Sequence, residues 1–226
     1  MSLKIDLHVH TRYSLDSSIT VKDLVIYSRL RGLDGVAVTD HDSFCRSREL
    51  RVIKDLLIIP GAEVTTDQGH VLAINTNTIV RSGLSFAETV DEIHDADGLA
   101  ILAHPTAFFK GITGRRLEQD WDAVEVINSS AIPFSFSVRR NRRIAVQLGF
   151  PQTGGSDAHY APEIGMAYTL IDCERDVDEV VEALRRGAMT PCGRGIPWTM
   201  RLRRTFQRSR ARKDEVARGL KVFQLI

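Results

Sequence analysis

The sequence predicts an α/β fold: parallel strands covered by helices, closed into a barrel with its functional face at the C-terminal ends of the strands. Two observations carry this expectation. Short apolar runs of strand length alternate with amphipathic helical stretches, and no repeat of solenoid length is present. Six of the seven histidines stand at or just beyond the end of a predicted strand. In parallel α/β folds those ends converge on one face, which favours a barrel over an open sheet.

The elements follow in order. Leu3 to Val9 reads as a first strand. Thr20 is placed to cap a helix whose face is marked by Val21, Leu24, Val25 and Ser28, and Gly32 stops it. Gly35 to Thr39 is the next buried strand, and a charged helix is expected around Arg46 to Asp55. Leu56 to Ala62 and His70 to Ile74 are the third and fourth strands. Phe86, Val90 and Ile93 mark a helix closed by Gly98, and Leu99 to Ala103 is a strand. Asp122 to Ile127 is another strand, Arg139 to Leu148 a helix, and Tyr168 to Ile171 a short extended run. Val177, Val180, Val181 and Leu184 give a last amphipathic face.

The histidines at strand ends are His8, His10, His41, His70, His104 and His159, and they keep acidic company: Asp6, Asp16, Asp40, Asp42, Glu63 and Asp157. Imidazole with carboxylate is a ligand set for Zn, Mn or Fe. His8-Val9-His10 has the period-two spacing that points both rings to one side of a strand, and Asp157-Ala158-His159 repeats it after Gly154-Gly155. Two adjacent inward imidazoles leave four ring nitrogens in need of partners, which favours chelation over a core pair. Glu63 after a buried strand is costly unless paired or metal-bound. His70 follows the turn-like Asp67-Gln68-Gly69, so capping a hairpin is its alternative role, and helix capping or an Asx turn is that of Asp16. His94, within a helix, is read as structural. Cys45, Cys173 and Cys192 form neither a disulfide framework nor a thiolate motif, so any metal is held by nitrogen and oxygen.

Taken together, Asp6-Leu7-His8-Val9-His10-Thr11, Thr39-Asp40-His41-Asp42, Pro60-Gly61-Ala62-Glu63, Ala103-His104-Pro105 and Gly155-Ser156-Asp157-Ala158-His159 resemble the PHP (polymerase and histidinol phosphatase) superfamily. The match is co-linear from about residue 3 to about residue 193. The resemblance implies a distorted (β/α)7 barrel with two or three divalent metal ions at the C-terminal ends of the strands. It implies that His8, His10, Glu63 and Asp157 hold one metal. Glu63 would bridge to a second held by His70 and His104, and Asp16, His41 and His159 would hold the third. All nine positions carry a competent ligand, although Asp16 lies six residues after His10 where many relatives have five.

The activity expected is phosphate-ester hydrolysis on a small metabolite or nucleotide. Metal-bound water supplies the attacking hydroxide, and Asp40 orients His41 from behind. No nucleophile elbow and no glycine-rich phosphate loop is present. Candidates for phosphate contact are Lys110 and the cluster Arg139, Arg140, Arg142 and Arg143, for which a solvated helix face is the alternative role; Asn141-Arg142-Arg143 resembles a helix-start pattern of PHP relatives, which implies that one of these arginines, Arg142 or Arg143, faces the site.

With 43% hydrophobic residues the 226-residue chain can bury a core, and 30 basic against 29 acidic side chains give a net charge of +1. That sum conceals a division. From Arg194 onward there are ten basic and two acidic residues, a net +8, while the first 193 residues hold 20 basic and 27 acidic, a net −7. The expected organisation is therefore a barrel over 1–193 and a basic segment over 194–226, docked through Leu202, Phe206, Val216 and Leu220. The basic segment sustains an alternative reading, a nuclease-like phosphodiesterase whose tail guides RNA or DNA to the metals. A third is a metal- or nucleic-acid-binding module without turnover. No apolar run reaches the ~20 residues of a membrane span and no signal-peptide pattern opens the chain. A cytoplasmic protein is expected, of undetermined oligomeric state.

Overall fold

The computed structural model describes residues 2–43, 50, 53–76, 78–106 and 119–206. Two compact units are present, Met1–Gly195 and a second that begins at Ile196, whose described part is helical over residues 198–206.

The first unit is a mixed α/β fold around a nearly closed, barrel-like sheet. Its strands are β1 (Ser2–Val9), β2 (Gly35–Val38), β3 (Leu57–Thr65), β4 (His70–Ile74), β5 (Leu99–Leu102), β6 (Ala123–Asn128), β7 (Gln152–Gly155), β8 (Ala167–Asp172) and β9 (Met189–Gly193). Among the described residues, helices α1 (Val21–Leu30), α2 (Phe86–Asp95), α3 (Phe134–Leu148) and α4 (Val177–Arg185) lie between them. The sheet order is β7-β6-β5-β4-β3-β2-β1-β8-β9.

The strands are not all parallel, as the sequence had suggested. The β1, β2 and β3 neighbours run parallel, as do β5, β6 and β7, but β4 is antiparallel to both β3 and β5. The reason is chain length: only Thr66 to Gly69 separates β3 from β4, enough for a hairpin and far short of a crossover. In this turn the Thr66 hydroxyl donates to the Gly69 carbonyl at 2.7 Å. The reversal has a functional consequence. His70 opens β4 rather than ending it, and the antiparallel direction carries it to the face where the other strands finish.

Closure occurs where β1 leaves its neighbours. The N-terminal half of β1 pairs antiparallel with β8, from Ser2 opposite Asp172 to Ile5 opposite Thr169. Its C-terminal end pairs instead with the residues just after β7: Asp157 N–H donates to the His8 carbonyl at 2.8 Å and His10 N–H to the Ala158 carbonyl at 3.0 Å. The register between β1 and β2 shifts between Asp6 and Val9. Accordingly Leu3, Ile5 and Leu7 pack in one core cluster with α4, whereas Val9 packs with Ile19 and Leu24 beside α1. A bulge of this kind re-aims side chains next to a site, here those of His8 and His10.

The helices follow local rules. Thr20 and Asp23 form a capping box at the start of α1, and Ser85 and Glu88 form another at α2. Helix α3 departs from expectation by starting at Phe134, five residues before Arg139. Ile132, Phe134, Phe136 and Val138 alternate like a strand, and the cap, Pro133, has no side-chain hydrogen bond to announce the helix. Gly154 and Gly155 belong to strand β7, and neither β7 nor β9 was foreseen. The charged helix expected around Arg46 to Asp55 falls largely outside the described residues, as do Val216 and Leu220 of the C-terminal segment.

Gly155 is where β7 meets the site. A Cβ at this position would lie 2.4 Å from the His8 Cβ and 2.8 Å from a carboxylate oxygen of Glu125. Gly155→Ala must therefore push two buried polar side chains aside, an overpacking cost of about 1–3 kcal/mol. The expected outcome is a melting temperature lower by roughly 2–4 °C per kcal/mol together with weakened metal retention, read by calorimetry and elemental analysis.

Candidate metal centre

The carboxylate of Glu63, 1% exposed, is the hub of the site. One oxygen lies 2.9 Å from His70 Nδ1 and 2.9 Å from His104 Nε2. The other lies 3.3 Å from His8 Nε2, 3.2 Å from His10 Nε2 and 3.2 Å from His41 Nδ1. Five imidazoles thus meet one buried carboxylate. Asp157 joins from the far side, its Oδ1 at 3.6 Å from His8 Nε2 and 3.4 Å from His10 Nε2. Asp16 Oδ2 lies 2.9 Å from His159 Nε2 and 3.7 Å from His41 Nε2.

Among the described residues three groups of donor atoms result, each lying within 4.8 Å of its fellows: His8, His10, Glu63 and Asp157; Glu63, His70 and His104; and His10, His41 and His159. These groups hold eight of the nine residues singled out as ligands, and the ninth, Asp16, lies beside His159 and His41 without joining a group. The third group differs in detail from the expected set: His10 shares it with His41 and His159, and Asp16 approaches the two outer rings from its loop.

The donor chemistry fits divalent cations. His8 and His10 turn their Nε2 atoms toward each other at 3.1 Å, an arrangement two neutral acceptor nitrogens hold only around a shared cation or proton. The other nitrogen of His8, Nδ1, lies 3.0 Å from a Glu125 oxygen. A carboxylate accepts only, so the neutral ring keeps its hydrogen on Nδ1 and directs the Nε2 lone pair into the cluster. His104 and Asp157 sit in the left-handed backbone region, at φ 28° and 53°. Neither is glycine, and such conformations persist at sites where surrounding contacts enforce them.

A family model described as the PHP domain matches residues 6–124, more than half of the chain, and a PHP-associated model matches residues 137–189. The chain belongs to the PHP family. An uncharacterized protein of Methanocaldococcus jannaschii is 30% identical over 141 residues, which are 56% of this chain and 82% of that protein. Among solved structures, PsfC from Pseudomonas syringae PB-5123 superposes with a TM-score of 0.71 at 15% identity, covering 93% of this chain and 99% of that one. A two-domain Bacteroides vulgatus protein, named for a predicted PHP-like metal-dependent phosphoesterase, gives 0.69 at 19% identity. The alignment covers 86% of this chain and 65% of that longer one. A lesion-specific endonuclease of Pyrococcus furiosus gives 0.59 at 17% identity, over 84% of this chain and 58% of its own.

Within the PHP barrel, several buried groups outside the nine hold the cluster in place. Glu125, 1% exposed on β6, uses Oε1 for His8 and Oε2 to accept from the His104 backbone N–H at 3.0 Å and from Asn128 Nδ2 at 2.9 Å. Asn128 Nδ2 also reaches Asp157 at 3.2 Å. Sequence reading passed over Glu125 as a ligand orienter, although a glutamate inside an apolar strand signals a partnered charge. Asp6 accepts from the backbone N–H groups of Ser156 and Gly165, both at 2.8 Å, tying β1 to the loop that carries Asp157 and His159. Burial pushes the Asp6 carboxyl up to about 6, against the pull of these donors. Glu163 accepts from the His159 N–H at 3.2 Å.

Three expectations need correction or fall silent. Asp40 does not orient the His41 ring. Its carboxylate accepts from Thr11 N–H at 2.6 Å, Thr11 Oγ1 at 2.7 Å and Ser14 Oγ at 2.9 Å. Ser14 in turn accepts from the His41 N–H at 2.9 Å and lies 3.3 Å from His10 Nδ1, so Asp40 works through the first loop. Arg142 and Arg143 are not at a helix start. They lie in the middle of α3, whose buried face is Ser137, Asn141 and Ala145, and that periodicity turns both arginines outward. Lys110 lies outside the described residues. His94 pairs with Asp122 at 2.9 Å, a structural contact as expected.

The charges of the metal-free cluster are coupled. Burial opposes a proton on His10, but Asp157 and Glu63 outweigh it and raise this imidazole to about 9. His8 is likewise raised, burial being overcome by Glu125, Glu63 and Asp157. For Glu63, burial opposes ionisation, yet the surrounding imidazoles hold the carboxyl well below its usual range. A raised imidazole stabilises the metal-free fold fully below its ordinary value of 6.5, and the contribution is lost as pH rises through about 9. Metal binding needs the same rings neutral, so protons compete with it over this interval. The metal-free protein should therefore lose melting temperature from pH 6.5 to 9 while the metal-loaded protein holds or gains. Parallel thermal scans check this, and a metal-free form that grows more stable over that range contradicts it.

Glu125→Gln keeps the shape but leaves an amide where three donors, His8 Nδ1, the His104 N–H and Asn128 Nδ2, need a carboxylate. Loss of such an outer partner weakens metal affinity by roughly 10- to 100-fold. Competition with a chromophoric chelator measures it, and parental affinity in the variant would remove Glu125 from the ligand-orienting role.

Proposed function

We propose that this PHP protein is a metal-dependent phosphoesterase acting on a phosphate ester of a small metabolite or nucleotide. The observation that carries the reading is the shape of the cluster. Its floor is buried, with His8, His10 and Glu63 at 0%, 0% and 1% exposure, while the side chains of Asp16, His41 and His70 on its rim are 46%, 30% and 26% exposed. Convergent ligands with one open side suit an anionic substrate that enters and leaves.

In this reading His8, His10, Glu63 and Asp157 hold one ion, His70 and His104 share Glu63 around a second, and Asp16, His41 and His159 hold a third. Zn, Mn or Fe at these positions supplies a water of lowered pKa and neutralises charge on phosphoryl oxygens. The chain's own residues do the positioning. Glu63 spaces the sites by placing one oxygen in each of two donor groups. Glu125 fixes which nitrogen of His8 faces the cluster, and Asp40 anchors the loop that brings Ser14 and Asp16 alongside His10 and His159. The buried floor excludes solvent from the ligands and leaves the rim as the place where substrate oxygens bind.

A second reading, phosphodiester cleavage in RNA or DNA, is supported by the +8 segment from Arg194 and by the fold shared with the Pyrococcus endonuclease. One screen addresses both: phosphate release and strand cleavage by the metal-loaded protein across mononucleotides, bisphosphates, sugar phosphates and short oligonucleotides. Hydrolysis of a nitrophenyl phosphate is expected to vanish on chelation and return with Mn or Zn. Activity indifferent to chelator would refute the metal-dependent reading.

A further inference from the structure

The outward face of α3 has no role in the centre just described, and its composition is unusual for a solvated helix. Over Phe134–Leu148 it carries four arginines and no acidic residue. Exposed helices ordinarily interleave opposite charges at i,i+3 and i,i+4, where unlike pairs attract. Here Arg139 stands i,i+3 from Arg142 and i,i+4 from Arg143, and Arg140 stands i,i+3 from Arg143, so three like-charged pairs repel. All four side chains are exposed, and none forms an ion pair or hydrogen bond with a described residue.

The arginines do not stand alone on that face. Phe136, 53% exposed, lies one turn before Arg139 and Arg140, and Val146, 70% exposed, lies one turn after Arg143. Ser137, Asn141 and Ala145 turn the other way, toward β6, with Asn141 Oδ1 accepting from Thr106 Oγ1 at 2.6 Å and Asn141 Nδ2 donating to the Glu125 carbonyl at 3.4 Å. The helix thus presents on its outward face an aromatic ring and then four guanidinium groups without an acidic partner among the described residues. Five residues, 129–133, link this helix to Asn128, whose amide meets Asp157, so its aromatic end follows the end of β6 that faces the centre.

The geometry points to α3 as a binding surface for single-stranded nucleic acid, with phosphates over Arg139, Arg140, Arg142 and Arg143 and a base against Phe136. Charge complementarity favours a polyanion, since a partner with several anionic groups relieves the repulsion among the arginines. The exposed aromatic selects a polyanion with flat rings, because base stacking on aromatic side chains joined to a basic track is how single strands are held without sequence preference. Guanidinium groups add both phosphate contact and stacking. The inference goes beyond turnover: the surface binds a strand whether or not the metal centre cuts it.

The test is fluorescence anisotropy of the full chain with a 5′-labelled single strand of about 20 nucleotides, titrated at several salt concentrations, with strand integrity checked on a gel. The double variant Arg139→Gln/Arg140→Gln should weaken binding and reduce the steepness of the log affinity against log salt plot by about 1.4, two phosphates at about 0.7 each. Phe136→Ala should weaken binding roughly 5- to 100-fold with little change of slope. Removing the arginines relieves repulsion, so the melting temperature of the double variant should be unchanged or higher, which separates lost binding from lost fold. Binding by both variants with parental affinity and slope would overturn the proposal and assign the strand to another surface. So would a parent that ignores the oligonucleotide, including one that binds phosphatidylserine vesicles instead. Binding without cleavage sustains the surface and counts only against the nuclease reading.

Discussion

A single buried carboxylate sets the terms for this molecule. Glu63 places five imidazoles within 3.3 Å of its two oxygens in a setting almost closed to water. A charge there is tolerated only because cations, protons or metal ions surround it. Every ligand-bearing strand must therefore end at the same height around one point. The reversed β4, the β1 bulge and the glycine contact of β7 with His8 each serve that demand.

A second layer of carboxylates carries the demand outward. Glu125, Asp6 and Asp40 touch backbone amides or ring nitrogens of the elements that bear the ligands, and each joins segments distant in sequence. Asp6 ties the first strand to residues 156 and 165, and Glu125 ties the sixth strand to the first and to His104. The barrel is thus cross-linked by the same polar groups that orient its site. Stability and metal affinity are coupled through them, since a group that leaves its partner unpaired in this interior harms both.

Much of the site was legible from residue type and spacing. Paired histidines at period two, an Asp-Ala-His repeat of that pattern and a glutamate closing a buried strand mark candidate ligands because few other roles suit such groups inside a core. What was not legible has a common cause. Glu125 sits in a strand that otherwise reads as apolar, and its meaning depends on His8, 117 residues away. The outward turn of Arg142 and Arg143 depends on where α3 begins, which alternating Ile132, Phe134, Phe136 and Val138 disguise. The role of Asp40 passes through a serine hydroxyl that no spacing rule connects to it.

By itself the sequence determined the class of fold, the donor types and most of the elements, because hydrophobic periodicity and ligand chemistry are local properties. It also showed that a near-neutral total divides into an acidic barrel and a basic segment. Tertiary structure alone decided which donors lie together, that β4 runs backward to deliver His70, and which carboxylates stand within the cluster and which behind it. Those outcomes rest on distances between residues tens to hundreds of positions apart, set by strand register and closure, and no local pattern encodes them.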